Sequence, residues 1–291
     1  MNELSIQEFW QSHPCGEGLV EERFDEDFSK FFKSYDAMRY SKEKHILECL
    51  AAIDFKSKNV LEIGLGQGAD AEVIARAGAI YNGLDLTAAA VDRVKTRFRI
   101  KKITYGKVIQ GSALEIPFPD NSFDIVFSHG VLHHIPNIGQ AQREIERVLK
   151  PNGELIMMLY ARHSLNYWFS IKALRKILLI PMHFLNFAPN AMLRDHLDNA
   201  KKMGLWNYLS DDNFIHANTD GPRNPFSRVY DLALVNQHFD KFKVTKSYKR
   251  FMYAPPLPVS WMPFEKLMGW HLWVHMRKKL TTKNNDGSTN L

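Results

Sequence analysis

The sequence predicts a doubly wound α/β fold, and three observations predict it. The stretch 59–70, NVLEIGLGQGAD, carries the apolar Val60, Leu61 and Ile63 straight into Gly64, Gly66 and Gly68, with an alanine-rich helical segment following over 69–77. Asp85 ends a second short apolar run, AIYNGLDL, seventeen positions after Gly68. Strand-like and helix-like segments then alternate, which places parallel strands in one sheet with helices on both faces. Right-handed crossovers make such a sheet doubly wound and put its ligand at the carboxyl ends of the strands.

Residues 1–45 hold Phe9, Trp10, Phe24, Phe28, Phe31, Phe32, Tyr35 and Tyr40 among charges. The spacing of three and four from Phe24 to Phe32 predicts an amphipathic helix, and the whole segment is read as a helical lid. Tyr35 and Arg39, an i, i+4 pair, are expected to close over a bound cofactor. A short helix over 46–54 enters the ligand-binding core, 46–160. Its strands are expected at 59–63, 80–85, 106–110, 123–128 and 154–160, and its helices at 69–77, 87–99 and 138–149.

About 65 residues separate the fifth strand from the next helix candidate, Phe226 to Phe239, which is too long for a loop. Residues 161–225 are therefore read as an inserted cap. Its Asn166 to Phe187 piece looks helical, with a break expected at Pro181. Phe242–Tyr253 and Trp270–Arg277 read as strands within a closing unit, 226–280, around a second insertion, Ala254–Met268. The tail 281–291, TTKNNDGSTNL, is expected to be disordered.

Glycine serves where backbone takes positive φ or approaches a ligand without a Cβ in the way. The helix beginning after the turn offers unpaired N–H groups to that ligand. A carboxylate at the Asp85 position can take both hydroxyls of a ribose. Because Gly64, Gly66 and Ala69 also fit the G-x-G-x-x-A form of dinucleotide sites, the glycines alone leave the cofactor open.

The chain of 291 residues is long enough for one ample domain with insertions. Cys15 and Cys49 are its only cysteines, too few for a disulfide framework or a thiolate metal site, and no metal-ligand spacing appears elsewhere. A soluble, cytoplasmic protein is expected: no secretory leader is legible, and the most apolar stretch, Ile177 to Phe187, is too short to span a bilayer. Charge is uneven. Residues 1–160 carry 19 basic and 23 acidic side chains, residues 161–291 carry 19 and 9. The basic later half can meet an acidic small molecule or a membrane face. Nucleic acid is not expected, because the scattered lysines accompany no recognition motif.

At this point the sequence resembles the class I S-adenosylmethionine-dependent methyltransferases, in the branch similar to ubiquinone and menaquinone biosynthesis methyltransferases. The resemblance rests on LEIGLGQG, GLDL, GSALEIPFPDNSFDIVFSHGVLHHIP and RVLKPNGELIMM, in order over roughly 58–160. It implies a seven-stranded, mostly parallel Rossmann-like methyltransferase fold whose last strand turns antiparallel between its neighbours, and a helical cap for the methyl acceptor. It also implies S-adenosyl-L-methionine as cofactor. By resemblance Glu62 orients the turn near the methionine ammonium, while Gly64, Gly66 and Gly68 let the backbone approach the adenosyl group. Asp85 takes the ribose hydroxyls and Leu86 packs on adenine. Ser112 and Ala113 stand where the family has an acidic and a small residue at the adenine amino group, so Ser112 is a departure. Ser128, ending the fourth strand, is expected to present its carbonyl to the methionine ammonium, and His129 to contact the same group.

Methyl transfer from a sulfonium needs positioning above all, and a base only where the acceptor must lose a proton. His133, His134, Tyr160 and His163, near the strand ends, are the candidate bases; His133, directly after the fourth strand, comes first, and the alternative is that the histidine pair caps a turn. Arg162 and Trp168 open the cap and are candidates for binding a small-molecule or lipid-linked acceptor. Two other readings stay open: a catalytically silent binding module on the same fold, and a peripheral membrane enzyme.

Overall fold

The computed structural model describes residues 2–279; the tail 281–291 lies outside the described residues. Three helices precede the sheet, α1 (Glu3–Ser12), α2 (Phe28–Lys42) and α3 (His45–Ala51). The core follows as β1 (Asn59–Ile63), α4 (Ala69–Arg76), β2 (Ile80–Asp85), α5 (Ala88–Lys101), β3 (Val108–Gln110), β4 (Phe123–His129), α6 (Ile138–Val148) and β5 (Leu149–Tyr160). A π-helical segment, Asn166–Arg175, leads into α7 (Lys176–Phe184), α8 (Ala191–Met203), α9 (Leu205–Tyr208) and α10 (Asp211–Thr219). The chain closes with α11 (Leu232–His238), β6 (Phe242–Arg250), α12 (Glu265–Met268) and β7 (His271–Lys278).

The seven strands lie in the order β3-β2-β1-β4-β5-β7-β6, and β7 runs antiparallel to both neighbours. Winding outward from β1 one way and from β4 the other leaves a crevice at the carboxyl ends of these two strands. Alternate residues of each strand face opposite layers. Leu61, Val126 and Met157 pack with Ile145 of α6 and Val235 of α11, and Val60, Phe127 and Ile156 pack with Ile74 of α4 and Phe98 of α5. Each fully buried side chain of this kind contributes about 1.5–3 kcal/mol.

Several local expectations change. The helix expected over 226–239 begins only at Leu232, because Tyr230 is drawn into a parallel bridge with Ala161 and the Asp231 carboxylate caps the Leu234 N–H. The helix expected from Phe24 begins at Phe28, where Asp27 caps the Lys30 N–H. Pro181 does not break its helix: α7 passes through it to Phe184, since the proline stands within a turn of the end and sacrifices one N–H bond.

One buried cation fastens the amino-terminal helices to the sheet. Arg97 of α5, fully buried, donates to both Asp36 oxygens of α2 at 2.8 and 2.9 Å, to Glu72 of α4 at 3.0 Å and to the Gln67 carbonyl at 3.1 Å. Its guanidinium lies 4.3 Å over the Phe32 ring. Arg97→Ala is expected to lower unfolding stability by about 2–3 kcal/mol, below the full cost of an orphaned buried partner because Asp36 can be rehydrated. An unchanged urea midpoint would show that the pair contributes nothing to holding α2.

Candidate active site

Where β1 ends, the carboxyl ends of the strands open into a cavity of about 260 Å³. Gly64, Gly66 and Gly68 all take positive φ, 83°, 51° and 75°. A Cβ on Gly64 would fall 2.1 Å from Val131 Cγ2, and one on Gly68 would fall 2.9 Å from Val94. Those two glycines permit close packing. Only Gly66 is open: an added Cβ would meet nothing nearer than Cys15 at 3.8 Å, on the cavity wall. Gly68, expected at the ligand, is instead the point where α4 packs on α5.

Asp85 is tied to the same turn. Its carboxylate accepts the Leu65 N–H at 2.7 Å, the Thr87 N–H at 2.8 Å and the Thr87 hydroxyl at 2.8 Å. Burial pushes the carboxyl up and these donors pull it back. The Gly66 N–H also pulls the carboxyl down, so the glycine turn and Thr87 together fix this carboxylate at the cavity wall.

Leu86, Gly111, Ala113 and Leu114 line the wall beyond Asp85, while Ser112 does not. The Ser112 hydroxyl donates to the carboxylate of Glu3 and accepts the Leu114 N–H at 2.9 Å. Glu3 belongs to α1, which lies across the mouth. Gln7 of α1 donates to the Leu86 carbonyl at 2.9 Å, and Ile6 and Trp10 line the cavity.

At the other end stand Tyr35, Arg39, Glu62, Asp70 and His129. Arg39 Nη2 reaches Asp70 at 2.8 Å and His129 Nδ1 at 3.0 Å, and His129 Nδ1 lies 2.6 Å from Asp70. Burial alone would raise the Asp70 carboxyl, but Arg39 and His129 hold it well below the usual range. Burial, reinforced by Asp70, pushes the Glu62 carboxyl well up; the Tyr81 hydroxyl donates to it at 2.5 Å. Arg39 Nε, Gln67 Oε1 and His129 Nε2 are buried without a partner among the described residues. A guanidinium edge and acceptors at one end, with a carboxylate and an open glycine at the other, fit an amino acid joined to a nucleoside. S-adenosyl-L-methionine is such a molecule.

The candidate bases change places. After β4 the chain enters a 3-10 turn, Leu132–His134, whose successive side chains point about 120° apart. His133 turns inward: it is fully buried, outside the cavity, its ring 3.9 Å from that of Tyr160 and both nitrogens unpartnered among the described residues. Burial drives its pKa well below the ordinary histidine value. His134 faces the cavity instead. Its Nδ1 lies 2.7 Å from the Phe226 carbonyl, and its Nε2 stands 3.4 Å from Asp220 Oδ2. Tyr160, also outside the cavity, donates its hydroxyl to Asp220 Oδ1 at 2.8 Å.

The Ser128 hydroxyl ties β4 to the Ile63 carbonyl at 3.0 Å. Two expected acceptor residues lie elsewhere. Arg162 pairs with Asp231 at 3.3 Å, and Trp168 is half exposed on the outer side of the cap, under the Lys172 ammonium. Glu3, Ile6, Trp10, Asp70 and Thr87 are among the wall residues that were not singled out. Asp70 carried a signal, a carboxylate in the first turn after the glycines; the α1 residues carried none. Among the described residues no group of three or more His, Cys, Asp or Glu could hold a metal ion.

Residues 61–157 match the family model of a methyltransferase domain. These residues form a class I S-adenosylmethionine-dependent methyltransferase domain. A fatty-acid O-methyltransferase of Mycolicibacterium smegmatis is 30% identical over 151 residues, 51% of this chain and 54% of that protein. A demethylmenaquinone methyltransferase of a Geobacillus is 30% identical over 148 residues, 47% and 63%. A phthiotriol/phenolphthiotriol dimycocerosates methyltransferase of Mycobacterium tuberculosis is 35% identical over 103 residues, 35% and 37%. The chain thus spans between about a third and two thirds of the curated relatives it matches. The PH0226 protein of Pyrococcus horikoshii superposes with a TM-score of 0.53 at 13% identity, over 94% of this chain and 99% of that one. A SAM-dependent methyltransferase from Aquifex aeolicus gives 0.50 at 15%, over 86% and 97%. At these identities the structures share the fold.

The glycines provide a test. Gly64→Ala, with backbone strain and a clash on Val131, is expected to lower the melting temperature by several degrees. Gly66→Ala, strained but unobstructed, should cost less stability and weaken S-adenosylmethionine binding at least tenfold by calorimetry. Equal affinity in Gly66→Ala and the parent would remove Gly66 from the ligand wall.

Proposed function

We propose that this chain transfers the methyl group of S-adenosyl-L-methionine to a small-molecule or lipid-linked acceptor. One observation carries the reading: a single cavity joins the open Gly66, the Asp85 carboxylate, the Arg39–Asp70–His129 cluster and the His134 ring. When bound, the cofactor supplies a methyl group on a sulfonium with a neutral leaving group. The relatives named for a fatty acid, a dimycocerosate and demethylmenaquinone support the lipid-linked alternative, an acceptor met at a lipid surface.

The chain's own residues hold the partners in place. Asp85 and Gly66 take the ribose side. Glu3, standing on Ser112, supplies from the lid helix the carboxylate that Ser112 lacks for the adenine amino group. Arg39 and His129 take the methionine end. Closure of α1 over these groups excludes water from the site of attack.

His134 is the base for an acceptor that must lose a proton. Its Nδ1 lies between the Phe226 carbonyl at 2.7 Å and the Ser227 hydroxyl at 3.0 Å, and its buried Nε2 faces Asp220 Oδ2, so the ring takes an acceptor's proton only by turning Nε2 toward the cavity. When the ring turns back, a proton taken up at Nε2 lies against that carboxylate, which Tyr160 fixes from the other side. His133 stays neutral and structural.

His134→Gln is expected to lower kcat by about 10²–10⁴ on an acceptor that loses a proton, with cofactor affinity unchanged. Glu3→Gln should do the reverse, weakening cofactor binding in calorimetry. Absence of any thermal shift with millimolar S-adenosylmethionine or S-adenosylhomocysteine would sink the whole reading, since a ligand of the native state must raise stability.

His133 gives a pH test of its own. An unfolded histidine takes its proton at about pH 6.5. The folded state refuses it, so His133 costs stability as pH falls below that value and not above it. His133→Phe should therefore be no less stable than the parent at pH 7.5 and gain on it at pH 5, read as urea midpoints. An equal difference at both pH values would mean that His133 is solvated.

A further inference from the structure

The cap carries an apolar face that nothing in the fold covers. Of the large apolar side chains that stand exposed, most lie between Trp168 and Leu267. In α7 and just beyond it Ile177, Leu178, Pro181, Phe184 and Leu185 follow at i, i+1, i+4, i+7 and i+8, one stripe of the helix, while Leu179 turns into the cap core. All five face solvent, Phe184 and Leu185 about three-quarters exposed. Phe187 and Met192 extend the face past the helix end.

A second exposed apolar group, Leu257, Trp261, Phe264 and Leu267, lies on the loop that packs against the chain before α7. The Ser170 hydroxyl reaches the Pro255 carbonyl, and the Lys249 ammonium bridges the carbonyls of His163 and Leu267. Charge frames this surface without entering its centre. From Ile177 to Leu193 there is no Asp, Glu, Lys or Arg; Lys172, Arg175 and Lys176 precede the run but turn to Asp211 and the Asn218 carbonyl, and Arg194, Lys201 and Lys202 follow it with Asp195 and Asp198 among them. Among the described residues no helix is long and apolar enough to cross a membrane.

We propose that this face, α7 and the turn after it, lies on an anionic lipid bilayer. An apolar stripe with aromatic side chains, uncharged at its centre and flanked by cations, suits insertion at the headgroup boundary, where apolar burial and attraction to anionic lipid add. The face also reaches the site. Lys172 and Lys176 both hold Asp211 at 2.6 Å, at the start of α10, and Arg175 holds the Asn218 carbonyl at 2.8 Å near its end, two residues before the Asp220 that faces His134. One helix separates the docked surface from the cavity wall. Delivery of a lipid-linked acceptor by this route rests on the proposed methyl transfer; the docking surface itself does not.

The test is sedimentation of the full chain with vesicles of phosphatidylcholine alone and of phosphatidylcholine with 30% phosphatidylglycerol. The parent should pellet with the anionic vesicles at low salt and be released by 0.5 M NaCl, with much weaker binding to the neutral ones. Phe184→Ser/Leu185→Ser should lose at least tenfold in vesicle partition, and Lys201→Glu/Lys202→Glu should lose binding to the anionic vesicles selectively. Melting temperature and S-adenosylmethionine affinity, measured alongside, should stay at parental values in both. A parent that remains in the supernatant with both vesicles overturns the proposal. So does a dimer in sedimentation velocity that the Phe184/Leu185 change dissociates, because the face would then be covered by a second copy. Failure of cofactor binding in the parent, with vesicle binding intact, would strike the methyltransferase reading and leave the docking face standing.

Discussion

The hydrogen bond from the Leu65 N–H to the Asp85 carboxylate is the constraint on which the site depends. It spans two parallel strands at their carboxyl ends, and a second bond in the same direction, Gly64 N–H to the Leu84 carbonyl at 2.8 Å, lies beside it. Together they force the chain leaving β1 to fold back over β2 before α4 can begin. Only a backbone with positive φ follows that path, and Val131 stands close enough to Gly64 to forbid any side chain there. The same carboxylate, through Thr87, caps α5. One buried acid thus sets the turn, the next helix and the wall of the cavity.

Arg97 then carries the constraint outward. Its contacts with Gln67, Glu72 and Asp36 connect the turn, α4 and α2, so the amino-terminal segment that brings Tyr35 and Arg39 to the cavity is anchored by a charge network at its far side. α1 is held differently, by a few polar contacts and the burial of Ile6. The two attachments differ in strength: breaking a few part-buried hydrogen bonds costs less than separating a buried ion pair.

The cap joins these parts through Asp220. It stands just after α10, accepts from Tyr160 at the end of β5 and faces His134 in the loop after β4. Three segments distant in sequence therefore converge on one carboxylate. The outer helix of the cap leans on α10 through Asp211, which places an unsatisfied apolar surface one layer from the cavity.

Much of the fold was legible in the amino-acid sequence, because alternating apolar runs and glycine turns are local properties: β1, β2, β4 and β5, the helices between them, the closing strands and the Gly66–Asp85 pair all rest on residues near one another in the chain. The sequence likewise determined that 161–225 could not be a loop. What it could not decide were the contacts made across the chain. His133 and His134 are adjacent and chemically alike, and only the pitch of a 3-10 turn decides which of them meets the cavity. The acid beside Ser112 is more than a hundred residues away, on α1. Arg162 and Trp168 had the right chemistry for an acceptor site, but the packing of the cap turned one toward Asp231 and the other to its outer surface. Side-chain periodicity says which residues share a face; which face meets the ligand depends on how the layers close.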